Sequence, residues 1–245
     1  MDRTGLYLYG IMAADAALAA LPAGIGDAEV HPLLCGDFAA LVSRVAREEA
    51  DFSTEAVLAH EQVLLSAMAA GTVIPAAFGH HFQDEEALRL FVDGIAGELR
   101  EKLDYLHDRV EVGVKAIWRK ESFLSDIETP ELAALIDQAR QSPDDPNLTL
   151  AVGELVEKLR TERRRYYVDQ ICPRLAEQAV EMRLSDSETA RVAFQAAFLI
   201  AREAEDAFFE HVEQVVKPYE DRLKFTGSGP WPPHNFVSLR VAPPN

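Results

Sequence analysis

Val110-Glu111-Val112-Gly113-Val114-Lys115-Ala116-Ile117-Trp118 is the cleanest period-two stretch of the sequence. Val110, Val112, Val114, Ala116 and Trp118 fall on one face of an extended chain and Glu111, Gly113, Lys115 and Ile117 on the other, which predicts a half-exposed β-strand. Upstream, Asp84-Glu85-Glu86 puts negative charge where a helix N-terminus is partially positive. Leu88, Phe91, Val92, Ile95, Leu99, Leu103 and Leu106 follow at helical spacing. Residues 72–78 read as a strand that Pro75 confines to an edge or a bulge. Ser53 is an N-cap, with Phe52 and Val57 at the staple positions, for a helix from Thr54 to about Ala70 that Gly71 closes. Val57, Leu58, Leu64, Leu65 and Met68 share an arc of about 120° on it and predict its core-facing stripe.

Further upstream, residues 30–34 and 38–45 flank Cys35-Gly36-Asp37, the chemistry of a hairpin turn. Residues 13–21 are alanine-rich, with Leu18 and Leu21, and predict a short helix ended by Pro22, Gly24 and Gly26. Residues 6–11 are apolar on both alternating faces, as expected of a strand covered on two sides at the centre of a sheet. The order is β-α-β-β-α-β-α-β, which begins as a ferredoxin-like sandwich and adds a helix and a strand. A modified ferredoxin-like domain over 1–120 is the expectation.

Residues 121–245 predict a second, helix-rich α+β domain with a small antiparallel sheet. Residues 121–140 are helical with a Thr129-Pro130 start signal, and Ser142-Pro143-Asp144-Asp145-Pro146-Asn147 is a loop. A long helical stretch over 148–183 is kinked or split by Pro173. Ser185-Asp186-Ser187 reads as a turn, 192–200 as a strand, 203–216 as a helix stopped by Pro218, and 223–226 as a short strand. Residues 227–237 form a rigid Pro/Trp segment. The fold class is α+β in two domains.

The chain has 245 residues with 41 acidic against 24 basic, a net charge of −17. That field repels phosphate backbones and anionic lipid, which argues against nucleic-acid and membrane-surface partners. No run of about 18 apolar residues occurs, and the apolar stretch at 5–11 is too short for a signal-peptide core, so a cytoplasmic protein is expected. In that compartment Cys35 and Cys172 are reduced, partly buried thiols.

Catalytic and metal signatures are missing. His60-Glu61 lacks the second histidine of a zincin helix, position 64 being leucine. The side chains of His80 and His81 project oppositely in an extended segment and cannot easily share an ion. Gly24-Ile25-Gly26 lacks the third glycine of a dinucleotide fingerprint and a strand leading directly into it. Arg163-Arg164-Arg165 with Tyr166 and Tyr167 could meet an anion, but Glu157, Glu162 and Asp169 surround them, so a solvated, salt-bridged helix face is the better reading. No catalytic residue, metal site or cofactor is assigned.

Glu61 stands out. It lies about 40° from Val57 on the helical wheel, inside the apolar arc, where a carboxylate is costly unless paired or hydrogen-bonded. It is satisfied either by backbone N–H groups or a lysine such as Lys115, or else it anchors a partner or holds residues 74–79 in place.

Four segments, in this order, carry a resemblance: Leu6-Tyr7-Leu8-Tyr9-Gly10-Ile11, His60-Glu61-Gln62-Val63-Leu64, Val73-Ile74-Pro75-Ala76-Ala77-Phe78-Gly79, and the tail from Gly229 through Pro230-Trp231-Pro232-Pro233 to Phe236-Val237. Together with Glu111-Val112-Gly113-Val114-Lys115 and Trp118, this resembles the gas vesicle protein F/L family over residues 5–241. The chain departs from that pattern at Ala77, where the family often carries a base, and at His234, where tyrosine is common. The resemblance implies a non-enzymatic, vesicle-associated accessory protein. Its implied partners are the small hydrophobic shell protein, bound as an assembly factor or as a minor vesicle component, and other gas vesicle accessory proteins.

A holder of such a subunit needs an apolar groove or an open sheet edge on a body that itself resists aggregation. Glu61, Pro75, Phe78, Trp231, Pro232, Pro233 and Phe236 are the candidate contacts, the tail prolines lowering the ordering cost on binding. The alternative for the tail is that it covers the domain junction. The alternative function is a ligand-sensing regulatory module on a ferredoxin-like sheet.

Overall fold

A computed structural model describes residues 4–18, 20–46, 53–185 and 189–237. The chain divides into two compact units. The first runs to Glu111 and resumes at Pro230, and the second spans Val112–Gly229.

The first unit is built on β1 (Thr4–Ala13), β2 (His31–Cys35), β3 (Phe38–Ala46) and β4 (Val73–Pro75), in the sheet order β2-β3-β1-β4. The β1–β3, β2–β3 and β1–β4 pairs are all antiparallel, which is the strand order of a ferredoxin-like sheet. A two-residue strand β5 (His81–Phe82) pairs with β1 beyond β4. Leu6, Tyr7, Leu8, Tyr9 and Ile11 are all buried, as expected for a central strand. A register shift between Leu8 and Gly10 marks a β-bulge. Gly36, at φ +60°, makes the predicted β2–β3 turn.

The first crossover departs from expectation. Residues 14–18 form turns and irregular backbone, not helix, and a short 3-10 turn at Ile25–Asp27 takes the place of a helix. Two leucines supply too little apolar face to hold one, and the crossover's buried anchor is Ile25.

Helix α1 (Thr54–Ala70) is capped by Ser53, whose hydroxyl accepts from Ala56 N at 3.1 Å, as predicted. Phe52 lies outside the described residues. The core-facing stripe is rotated from the expected one: Ala56, His60, Val63, Leu64, Ala67 and Met68 are buried, whereas Val57 is 38% and Leu58 55% exposed. Small residues let the helix approach the sheet, and a reading weighted toward large aliphatics misses them. The predicted next helix is two, α2 (Glu85–Gly94) and α3 (Ala96–Leu106), broken at Ile95 beside Gly94 and Gly97. Pro75 ends β4 at the sheet edge.

Strand β6 (Arg109–Trp118) leads into the second unit, where the sheet order is β7 (Glu181–Leu184), β8 (Val192–Ala201), β6, β9 (Leu223–Trp231). The first helical stretch is α4 (Phe123–Asp126) and α5 (Pro130–Gln141), separated at the Thr129 cap. Helix α6 (Pro146–Ala176) continues through Pro173, which falls in its last turn and does not split it. Residues 181–184 are strand instead of helix. Helix α7 (Glu205–Val216) matches expectation. Strand β9 runs to Trp231, past the predicted end at 226, because an edge strand tolerates glycine and proline. At Gly227 a Cβ would sit 2.6 Å from the Phe209 ring.

The hub of the second unit is Asp126, whose side chain is fully buried. Its Oδ2 accepts from Trp118 Nε1 at 2.9 Å and Tyr167 Oη at 2.7 Å. Its Oδ1 lies 3.3 Å from Arg222 and 3.5 Å from Arg163. Burial first, and then the Asp126 charge, push the Tyr167 phenol pKa up. Of the arginine run, Arg165 pairs with Asp169 on the surface as predicted. Arg163 and Arg164 instead donate inward, to the carbonyls of Asp126 and Ala193.

Candidate functional site

The alternation of β1 sends the rings of Tyr7 and Tyr9 to one face of the sheet, their centroids 4.8 Å apart. Helix α1 lays His60 against both. The Tyr7 hydroxyl lies 2.9 Å from His60 Nδ1 and accepts from Gly79 N at 3.1 Å. The bond couples the phenol to the imidazole, its direction following from the His60 tautomer. His60 Nε2 makes no hydrogen bond of standard geometry among the described residues, and an Ala76 backbone hydrogen bond is the least of the influences on the ring's pKa. Burial dominates the chemistry: it lowers the His60 pKa to about 4 and raises that of Tyr7 to about 12. Tyr9 forms a parallel link, sharing a hydrogen bond with Ser43 at 2.8 Å and accepting from Ile25 N at 2.9 Å.

The Val73–Gly79 segment lies over these rings. The Phe78 ring packs edge-on against Tyr7 and His60. His80 stacks on Phe82 while His81 meets Tyr7, so the adjacent histidines do diverge. Ala76 N donates to Tyr9 O, and Leu8 N to His80 O.

The returning tail closes the site. A short 3-10 turn, His234–Phe236, is held by polar contacts to Glu61, Glu111 and Lys102. His234 Nε2 lies 3.0 Å from Glu61 Oε1. Glu111 accepts from Asn235 N at 2.8 Å and from Asn235 Nδ2 at 2.6 Å. Lys102 Nζ donates to Phe236 O at 3.2 Å. Burial pushes the Glu61 carboxyl up, but the hydrogen bond and charge of His234, with His60, outweigh it and hold the pKa below its ordinary value. For Glu111 burial wins over the Asn235 bonds and the pKa is raised.

Glu61 therefore pairs with His234, not with Lys115. Pro232, Pro233 and Phe236 are buried, Phe236 completely, while Trp231 is 38% exposed. Sequence reasoning missed Glu111 and Tyr7 as polar anchors. Glu111 was hidden on the supposedly exposed face of its strand, and a carboxylate within an apolar alternation was the available signal.

Beside this cluster a groove of about 270 Å³ opens along Pro75. Leu8, Ile11, Ile74 and Phe91 give it an apolar floor and wall, and His234 and Val237 of the tail border it. It joins the Pro75 edge and the tail, two of the sequence-predicted contact regions. Among the described residues, no group of three or more His, Cys, Asp or Glu side chains is placed to hold a metal ion. No helix of the described residues is long and apolar enough to cross a membrane.

Residues 5–238 match the family model described as gas vesicle synthesis protein GvpL/GvpF. The chain is 31% identical to gas vesicle protein F of a Streptomyces species, over 94% of this chain and 98% of that one. It is 28% identical to gas vesicle protein F of a Nostoc species, over 96% and 99%. The crystal structure of GvpF from an Anabaena species superposes with a TM-score of 0.79 at 26% identity, covering 97% of this chain and 98% of that chain. GvpF from Microcystis aeruginosa gives 0.78 at 27% identity, covering 96% and 99%.

Proposed function

The chain belongs to the gas vesicle synthesis protein GvpL/GvpF family, and from that premise we propose that it is a non-enzymatic, cytoplasmic accessory protein that binds the small hydrophobic shell protein during vesicle formation. The groove along Pro75 carries the reading: it is an apolar concavity at a sheet edge on a chain of net charge −17. Such a body stays soluble while it covers apolar surface of another subunit. The partner is expected to enter at the Pro75 edge and lie against Ala77 and Phe91, with the tail bordering the groove. Trp231 adds an exposed aromatic from the same tail.

The test is co-expression of the shell protein with tagged chain. The shell protein should stay in the soluble fraction and copurify. Ala77→Glu, which puts a charge at an exposed position lining the groove, should abolish copurification without altering the circular dichroism spectrum. Unchanged copurification would refute the groove as the contact, and a shell protein that never copurifies with the unaltered chain would refute the function.

A further inference from the structure

Helices α5 and α6 form a hairpin whose apolar seam is only half covered. On α6, Leu148, Val152, Leu155 and Leu159 recur at heptad spacing and share one stripe. On α5, Leu132, Leu135 and Ile136 do the same, and the principal neighbour of α5 is α6. Yet Leu132 is the one buried residue of α5, and none of residues 146–159 is buried. Farther along α6 the pattern changes, with Tyr167, Ile171, Cys172 and Leu175 all buried. A helix of the length of α5 is marginal alone in water, and two facing stripes cover only one flank of each other. The stripe residues Leu135, Ile136, Leu148, Val152 and Leu155 stay partly exposed, an open flank that a third helix would cover.

The base of the hairpin says what kind of helix. There a recess of about 270 Å³ is lined by Leu159 and Tyr166 together with Glu128, Glu162 and Arg163, the last already paired with the buried Asp126. Both carboxylates are exposed, and neither takes part in the ion pairs formed among the described residues. Residues 130–159, which carry the two half-covered stripes, hold six acidic side chains against two basic, a net charge of −4. Two such arms repel each other, which disfavours a second copy as occupant, whereas a cationic helix gains both apolar cover and charge pairing.

We propose that the α5–α6 hairpin is a docking surface for an amphipathic helix of a partner protein, one whose apolar stripe is flanked by lysine or arginine. The surface lies wholly in the second unit and stands whether or not the Pro75 groove takes the shell protein. The probe is a labelled synthetic helical peptide with leucine at heptad positions and flanking lysines, titrated against the full chain at low salt by fluorescence anisotropy. A companion peptide carries glutamate in place of lysine. The lysine peptide should bind and the glutamate peptide should not. Glu128→Gln with Glu162→Gln, both exposed, should weaken binding roughly five- to tenfold and reduce its salt dependence. Val152→Glu should abolish it. No binding of the lysine peptide, equal binding of both peptides, or an unchanged affinity in the double glutamine variant would overturn the proposal. So would a dimer of the chain, seen by sedimentation, that Val152→Glu dissolves.

Discussion

Glu61 on α1 and His234 in the returning tail, far apart in the chain, meet at 3.0 Å and tie the tail to α1 within the first unit. Both side chains are about one-third exposed, so solvent screening limits the pair to about 0.5–1 kcal/mol. A double-mutant cycle of Glu61→Gln and His234→Gln, read by urea unfolding, should return a coupling energy of that size. Chymotrypsin should cut after Phe236, which is buried in the docked tail, faster in either single variant. Strictly additive effects would show that the two residues act separately.

Asp126 should be the most damaging single site in the second unit. Asp126→Ala strands the Trp118 indole N–H, the Tyr167 hydroxyl and two guanidinium groups around an empty space. The expected loss is about 3–5 kcal/mol. Asp126→Asn keeps one acceptor oxygen and should lose less. Chemical denaturation followed by Trp118 fluorescence reads both.

Acid should weaken the fold. His60 has a pKa of about 4 when folded against an ordinary 6.5, so the unfolded chain takes up the proton first. Its contribution is complete above pH 6.5 and is lost as pH falls from 6.5 to about 4, by at most ~3 kcal/mol. Glu61, held below its ordinary 4.5, contributes above that pH and loses the contribution below it. Glu111, raised by burial, works in the opposite direction, favouring the fold as it protonates. Melting temperature should fall between pH 7 and pH 5, and His60→Gln should flatten the fall.

Gly24 is fixed by the Tyr9 hydroxyl, which a Cβ would meet at 2.0 Å. Gly24→Ala must displace Tyr9 from Ser43 and Ile25 and should cost about 1–3 kcal/mol. Thermal unfolding of the variant checks this, and an unchanged midpoint would mean that the loop moves freely.

The sheet of the first unit is legible in the sequence because residues 6–11 and 38–45 are strongly patterned and the Gly36-Asp37 turn has its own chemistry. The helix expected at 13–21 has only alanine propensity and the two leucines Leu18 and Leu21 in its favour, too small an apolar face to hold it against the sheet. The α1 stripe was misplaced because Ala56 and Ala67 bury as little surface as they do volume, and periodicity weighs them lightly. Glu61 could be singled out as needing a partner, yet nothing in local spacing identifies His234, since the contact exists only because the chain returns after the second unit. Asp126 was silent for the same reason. Its one sequence trace is Trp118, a buried indole whose N–H requires an acceptor.

The most direct test of the account is site-specific photocrosslinking from within the Pro75 groove. With benzoylphenylalanine at Ala77, irradiation of cells forming vesicles should join this chain to the shell protein. The same group at Glu55, an exposed residue in the first turn of α1 that does not line the groove, should not. Crosslinks to the shell protein from Glu55 but not from Ala77, or from neither, would contradict it.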